Sequence, residues 1–115
     1  MGKKIDWYYH RSGCKTCGKM DALLAKQECS AEEVVSANKV KLGKADALEL
    51  AASVDRILAT RGKQTVELRM SEHPDEEVIV KHLIGPTGNL RAPTIRSGKL
   101  LLVGFDEHEF AKALA

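Results

Sequence analysis

Hydrophobic and polar residues alternate along the chain with two periods, which predict strands and helices in turn. Strands are predicted where apolar residues form short runs or recur at every second position, at residues 5–9, 33–36, 65–70, 92–96 and 100–103. Helices are predicted where apolar residues recur at every third or fourth position, at residues 15–27, 44–60, 74–84 and 107–114. This order of elements predicts an α/β fold in which helices pack on a small mixed β-sheet.

The second predicted helix is the longest of the four. Its apolar stripe consists of Ala47, Leu50, Ala51, Val54, Ile57 and Leu58. One face of a helix is expected to carry such a stripe toward a core. Gly62 suits the position just after a helix, because glycine readily adopts the left-handed conformation found there. The strand at 65–70 alternates with period two, but the sequence does not fix its neighbours in the sheet.

Charged residues support the third helix. Asp75, Glu76 and Glu77 lie at its start, and Lys81 and His82 lie in its last turn. Negative charge at the first turn and positive charge at the last turn both complement the helix dipole. The histidines of the chain are scattered, and we expect most of them to be solvated or to lie at helix ends.

Length and charge narrow the possible functions. The chain has 115 residues and a net charge of +2, which predicts one domain over residues 1–115. No basic excess is large enough to hold a nucleic-acid backbone, and no apolar run reaches the roughly 20 residues of a membrane span. We expect no export signal at the start of the sequence. We therefore expect a cytoplasmic monomer with no nucleic-acid or membrane partner.

Two of the three cysteines form a Cys-x-x-Cys motif, Cys14 and Cys17, at the start of the first predicted helix. Positions i and i+3 of a helix are about 5–6 Å apart at Cβ, close to the separation of about 3.5–4.5 Å in a disulfide. The unpaired N–H groups of the helix start favour a thiolate at Cys14. Arg11 and Lys15 add positive charge nearby, and we expect them to contribute to substrate binding together with Arg91, Ala92 and Pro93. We assign Cys14 as the nucleophile and Cys17 as the resolving thiol.

A zinc site is the alternative interpretation of this motif, since zinc takes four ligands that often come from two such pairs. His10 and Cys29 are the additional ligands nearest in the sequence. Cys29 follows Cys17 by twelve residues, about 18 Å along a continuous helix. We therefore expect no metal and no cofactor, and we expect Cys29 to be an incidental or packed thiol.

Two separate motifs resemble the thioredoxin superfamily. The first is the Cys-x-x-Cys between a first strand and a first helix. The second is the segment Arg-Ala-Pro-Thr-Ile at 91–95, followed by Gly98 and by Leu-Val-Gly-Phe-Asp-Glu at 102–107. The resemblance implies a thioredoxin-like fold in which Pro93 is cis and precedes a strand, a tight turn and a second strand.

Within this superfamily the chain is most similar to the arsenate-reductase-like branch, which includes the Spx-type regulators. In that branch an arginine stands just ahead of the proline and a helical insertion precedes it. Here Arg91 stands two positions before Pro93, and the stretch 62–89 fits such an insertion. Arsenate reductases of the branch usually lack a second cysteine three residues after the first, so Cys17 is a departure.

The resemblance implies a thiol–disulfide oxidoreductase that acts on a protein or small-molecule disulfide, with glutathione or thioredoxin as possible partners. The backbone of Ala92, beside Pro93, would be exposed to an incoming peptide or disulfide. Arg91 would bind an oxyanion or a carboxylate, or would be an ordinary surface arginine. The resemblance leaves two alternative functions open. One is arsenate reduction with Cys14 as the nucleophile, and the other is a non-enzymatic redox switch that binds RNA polymerase, as in the Spx-type regulators.

Overall fold

A computed structural model describes residues 3–11, 13, 15–61, 64–86 and 88–114. The strands are β1 (Lys3–His10), β2 (Cys29–Ser36), β3 (Arg56–Arg61), β4 (Gln64–Arg69), β5 (Thr94–Ser97) and β6 (Leu100–Val103). The α-helices are α1 (Lys15–Lys26), α2 (Lys44–Ala52), α3 (Glu76–Leu83) and α4 (Glu107–Leu114). A 3₁₀ turn, Met70–Glu72, follows β4.

The strands form one mixed sheet in the order β2-β1-β5-β6-β3-β4. The pairs β1–β2 and β3–β6 are parallel, and the other neighbouring pairs are antiparallel. This arrangement confirms the predicted α/β class with a mixed sheet. The peptide bond between Ala92 and Pro93, just before β5, is cis.

Helices cover both faces of the sheet. On one face, α2 and α3 pack through Ala47, Ala51, Ile79 and Leu83 against Ile57 and neighbouring strand residues. On the other face, α1 and α4 contribute Met20, Leu23, Leu24 and Phe110 to a second apolar cluster. Each cluster removes apolar side chains from water, which is the main favourable contribution to folding.

The predicted helix at 44–60 is wrong in its second half. Helix α2 ends at Ala52, where the Ser53 hydroxyl donates a hydrogen bond to the Leu50 carbonyl oxygen. Residues 56–61 are strand β3. Both faces of β3 are covered, because Ile57 belongs to one apolar cluster and Leu58 to the other. A strand that is buried on both faces has no polar alternation, so its apolar residues extended the helical stripe by coincidence.

Most of the remaining boundaries lie within two residues of the predictions, but β2 begins at Cys29, four residues before the predicted strand at 33–36. Strand β4 matches the predicted strand and forms an edge of the sheet, where it pairs with β3. The described part of the stretch 62–89, which was expected to be helical, contains strand β4, a 3₁₀ turn and helix α3. Helices α1, α3 and α4 and strand β6 agree with the predicted elements. Gly62 lies outside the described residues.

No helix in the described part of the chain is both long enough and apolar enough to cross a membrane.

Candidate functional site

Cys17 lies in the first turn of α1 with its side chain fully buried, at 0% exposure. The backbone N–H of Arg11 donates a hydrogen bond to the Cys17 sulfur across 3.4 Å. Arg11 follows the last residue of β1, so the end of this strand brings a donor to the sulfur. Gly13, with a φ of +78°, allows the connecting loop to take a left-handed conformation that other residues rarely adopt. Cys14 lies outside the residues that the structure describes.

Asp21, one helical turn beyond Cys17, binds two side chains of β1. The Tyr8 hydroxyl donates to Asp21 Oδ1 across 2.8 Å, and His10 Nε2 lies 3.0 Å from Asp21 Oδ2. The rings of Tyr8 and His10 meet edge to face with their centroids 5.3 Å apart. Tyr8 is buried, whereas His10 is partly exposed and is paired with a carboxylate rather than solvated. These contacts join the end of β1 to the helix that carries the sulfur.

A groove of about 280 Å³ opens beside this end of β1 and brings three cations together, Arg11, Lys41 and Arg91. Ala92 also lines it, so three of the predicted substrate-binding residues, Arg11, Arg91 and Ala92, share one groove. The backbone N–H of Leu90 donates to the Leu42 carbonyl oxygen across 2.6 Å. This hydrogen bond connects the loop between α3 and β5 to the loop between β2 and α2.

The Arg91 guanidinium also donates hydrogen bonds to the protein backbone. Its Nη1 donates to the His82 carbonyl oxygen across 3.1 Å, and its Nη2 donates to the Thr60 carbonyl oxygen across 2.6 Å. The first carbonyl lies in the last turn of α3, where backbone acceptors lack partners within the helix. The second belongs to the end of β3, past the last residue that pairs with β6. Arg91 therefore supports the loops around the groove as well as lining it.

The other predicted site residues that the structure describes do not line the groove. Lys15 is exposed in the first turn of α1 and does not line it, and Pro93 is fully buried. Cys29 begins β2 and packs beside the second apolar cluster. Among the described residues, no three His, Cys, Asp or Glu side chains lie close enough together to hold a metal ion.

The sequence analysis missed Asp21 and Lys41. The position of Asp21, four residues after Cys17, would place both on one helix face and was an available signal. Lys41 reaches the groove only through the path of the loop between β2 and α2, which no local pattern encodes. No protein-family model and no curated protein matches the chain.

Proposed function

We propose that the protein is a thiol–disulfide oxidoreductase of thioredoxin-like fold, with Cys14 as nucleophile and Cys17 as resolving thiol. The observation that carries the proposal is the hydrogen bond from the Arg11 N–H to the buried Cys17 sulfur. A hydrogen-bond donor favours the charged form of the Cys17 thiol over its neutral form. The thiolate is the form that attacks a disulfide, which for Cys17 is the mixed disulfide at Cys14. The sheet order β2-β1-β5-β6, in which β1 lies between a parallel and an antiparallel neighbour, supports the thioredoxin-like fold in this proposal.

The proposed reaction transfers two electrons to the substrate. The Cys14 thiolate attacks one sulfur of the substrate disulfide, and the other sulfur leaves as a thiolate that takes up a proton. The Cys17 thiolate then attacks the Cys14 sulfur of the mixed disulfide and releases the second substrate thiolate. The products are a reduced substrate and a Cys14–Cys17 disulfide, which two molecules of an external thiol, or one dithiol, reduce again while they are oxidised to a disulfide.

The groove supports a substrate that carries an anionic group next to its disulfide. Arg11, Lys41 and Arg91 give the groove positive charge, and a guanidinium binds a carboxylate through two parallel hydrogen bonds. The backbone of Ala92 is available beside these cations for an extended peptide. Glutathione mixed disulfides and acidic peptide disulfides meet both requirements. We propose that this exchange takes place in the reducing cytoplasm, where such thiols are kept reduced.

Reduction of insulin disulfides, with dithiothreitol as the final reductant, tests the proposal. We expect the wild-type protein to accelerate the reaction and Cys14→Ser to lower the rate to the uncatalysed value. Cys17→Ser should accumulate a mixed disulfide at Cys14 that mass spectrometry detects, because the resolving thiol is missing. Cys29→Ser is the matched control and should retain the wild-type rate. A wild-type rate no higher than that of Cys14→Ser would refute the proposal.

Arsenate reduction is the second candidate, because the three cations of the groove also suit a tetrahedral oxyanion. The same variants distinguish the two functions. Thiol consumption that depends on arsenate and on Cys14 but not on Cys17 would favour arsenate as the substrate. The hydrogen bonds of Arg91 to two backbone carbonyls leave it fewer donors for such an ion.

A further inference from the structure

We propose that Asp21 is a positioning residue of the redox site, which holds the Arg11 N–H on the Cys17 sulfur by binding both Tyr8 and His10. Its importance for catalysis rests on the proposed oxidoreductase function, whereas the contacts themselves do not. No motif in the sequence marks Asp21, and its role follows from its position between the end of β1 and the first turns of α1.

The contacts form one connected path. Tyr8 and His10 are two residues apart on β1 and so point to the same face, and both reach the same carboxylate, at 2.8 Å on one oxygen and 3.0 Å on the other. The Tyr8 hydroxyl also lies 3.4 Å from the Cys17 carbonyl oxygen. The next residue after His10 is Arg11, whose N–H reaches the sulfur. Two bonds to Asp21 therefore fix the strand end immediately before the donor.

Removal of these bonds should change the ionisation of the Cys17 thiol more than removal of a contact at the protein surface would. The Cys17 sulfur is shielded from solvent, so water cannot readily replace a donor that moves away. Without the Arg11 N–H, the thiolate would lose a hydrogen bond that favours it over the thiol. The pH midpoint of thiolate formation should then rise, and the resolving step should slow at neutral pH.

The direct effect of the Asp21 charge has the opposite sign. A carboxylate one turn from a sulfur disfavours a second negative charge, so its removal alone should lower the midpoint. Side-chain exposure of 51% for Asp21 and 29% for His10 weakens this charge effect through solvent screening. The other charged residues near Cys17 in the sequence are the exposed cations Arg11, Lys15 and Lys19, and positive charge favours the thiolate. The direction of the shift therefore separates positioning from charge.

The experiment compares Asp21→Ala with Asp21→Asn in a protein whose only thiol is Cys17, made by Cys14→Ser and Cys29→Ser. The ultraviolet absorbance of the thiolate is followed against pH, and the signal of the matching Cys17→Ser protein is subtracted to remove tyrosine ionisation. Asparagine can still accept from Tyr8 and donate to His10, but alanine can do neither. Glu49→Gln, an exposed carboxylate on α2, is the control for a lost surface charge.

We expect Asp21→Ala to raise the midpoint by about one pH unit, a roughly tenfold loss of thiolate below the midpoint. Asp21→Asn should leave the midpoint unchanged or lower it. Tyr8→Phe removes one of the two bonds and should produce a smaller rise, which keeps the test valid if Asp21→Ala does not fold. A fall in both Asp21 variants, or no shift in Asp21→Ala and Tyr8→Phe, would overturn the proposal. The titration requires no substrate turnover, so an inactive wild-type protein with the expected shifts would refute the oxidoreductase function alone.

Discussion

Two regions of the sheet are held together by polar contacts of different kinds. On the sulfur side, which we define as β1, β2 and α1, Asp21 binds the side chains of Tyr8 and His10. On the hairpin side, which we define as β3 and β4 with the residues that contact them, Arg91 binds two backbone carbonyl oxygens. Asp106 joins this side to α4 through the Thr65 hydroxyl.

This difference indicates separate roles for the two regions. A backbone carbonyl does not titrate, and a guanidinium keeps its charge at any ordinary pH, so the Arg91 contacts persist while conditions change. The contacts on the sulfur side join ionisable side chains, two of which are partly exposed, next to the buried Cys17 sulfur. Substitutions on the hairpin side should therefore change mainly the free energy of unfolding. Substitutions of Asp21 should change mainly the pH midpoint of thiolate formation at Cys17.

The largest loss of stability is expected for Arg91→Ala. It leaves the Thr60 and His82 carbonyl oxygens without their charged donor, and a hydrogen bond to a charged group contributes about 1.5–3 kcal/mol. Since water can reach part of this half-buried site, we expect a loss of about 3 kcal/mol in the free energy of unfolding, measured by urea denaturation. Arg11→Ala removes a cation from the same groove and should cost about 0.5 kcal/mol or less. Equal losses in the two variants would show that Arg91 does not support the fold.

A smaller loss in the free energy of unfolding is expected for Gly104→Ala, which tests the same hydrogen bond by crowding both of its partners. Gly104 has a φ of +84°, and an added Cβ would lie 3.0 Å from the Thr60 oxygen and 3.1 Å from Arg91 Nη2. Gly98, with a φ of +62° and open space around it, is the matched control. The left-handed conformation alone costs about 1 kcal/mol, so we expect about 1 kcal/mol for Gly98→Ala and about 2 kcal/mol for Gly104→Ala. If thermal denaturation gives the same loss for both, crowding at Arg91 has no energetic effect.

The sequence predicted the elements whose ends carry local signals. Strand β6 is an apolar run between two glycines, and α4 begins directly after Asp106, which accepts a hydrogen bond from the Glu109 N–H. Strand β3 could not be predicted in this way. Its burial depends on α2 and α3 on one face and on α1 and α4 on the other, which is a property of the assembled layers rather than of the segment.

The same distinction applies to the candidate site. Arg11 was found because it shortly precedes the Cys-x-x-Cys motif, and Arg91 and Ala92 because they belong to the second motif. These three residues do share one groove. The contacts of Asp21 depend on how β1 lies against α1, and a list of helical positions does not contain that information. Sequence spacing shows which residues are neighbours within one element, whereas contacts between elements require the fold.

The smallest stability effect and a dependence on pH are expected at Asp106 on the hairpin side. The Thr65 hydroxyl donates to Asp106 Oδ2 across 2.6 Å, and the Glu109 N–H donates to Oδ1 across 3.0 Å. These two hydrogen bonds lower the pKa of the Asp106 carboxyl below its usual value of 3.8. Loss of such a contact at a helix start costs about 1 kcal/mol, so we expect Asp106→Ala to lose about that much at neutral pH.

The sign of the pH dependence follows from the direction of the pKa shift. Because the folded protein binds this proton less readily than the unfolded chain, the Asp106 contribution is complete above the usual carboxyl range and declines as the pH falls through the lowered pKa. Asparagine cannot take up this proton, so the stability advantage of the wild-type protein over Asp106→Asn should shrink as the pH falls from neutral to about 3. Urea denaturation at a series of pH values measures this difference. An advantage that stays constant over the series would show that the ionised carboxylate contributes nothing to the contact between α4 and β4.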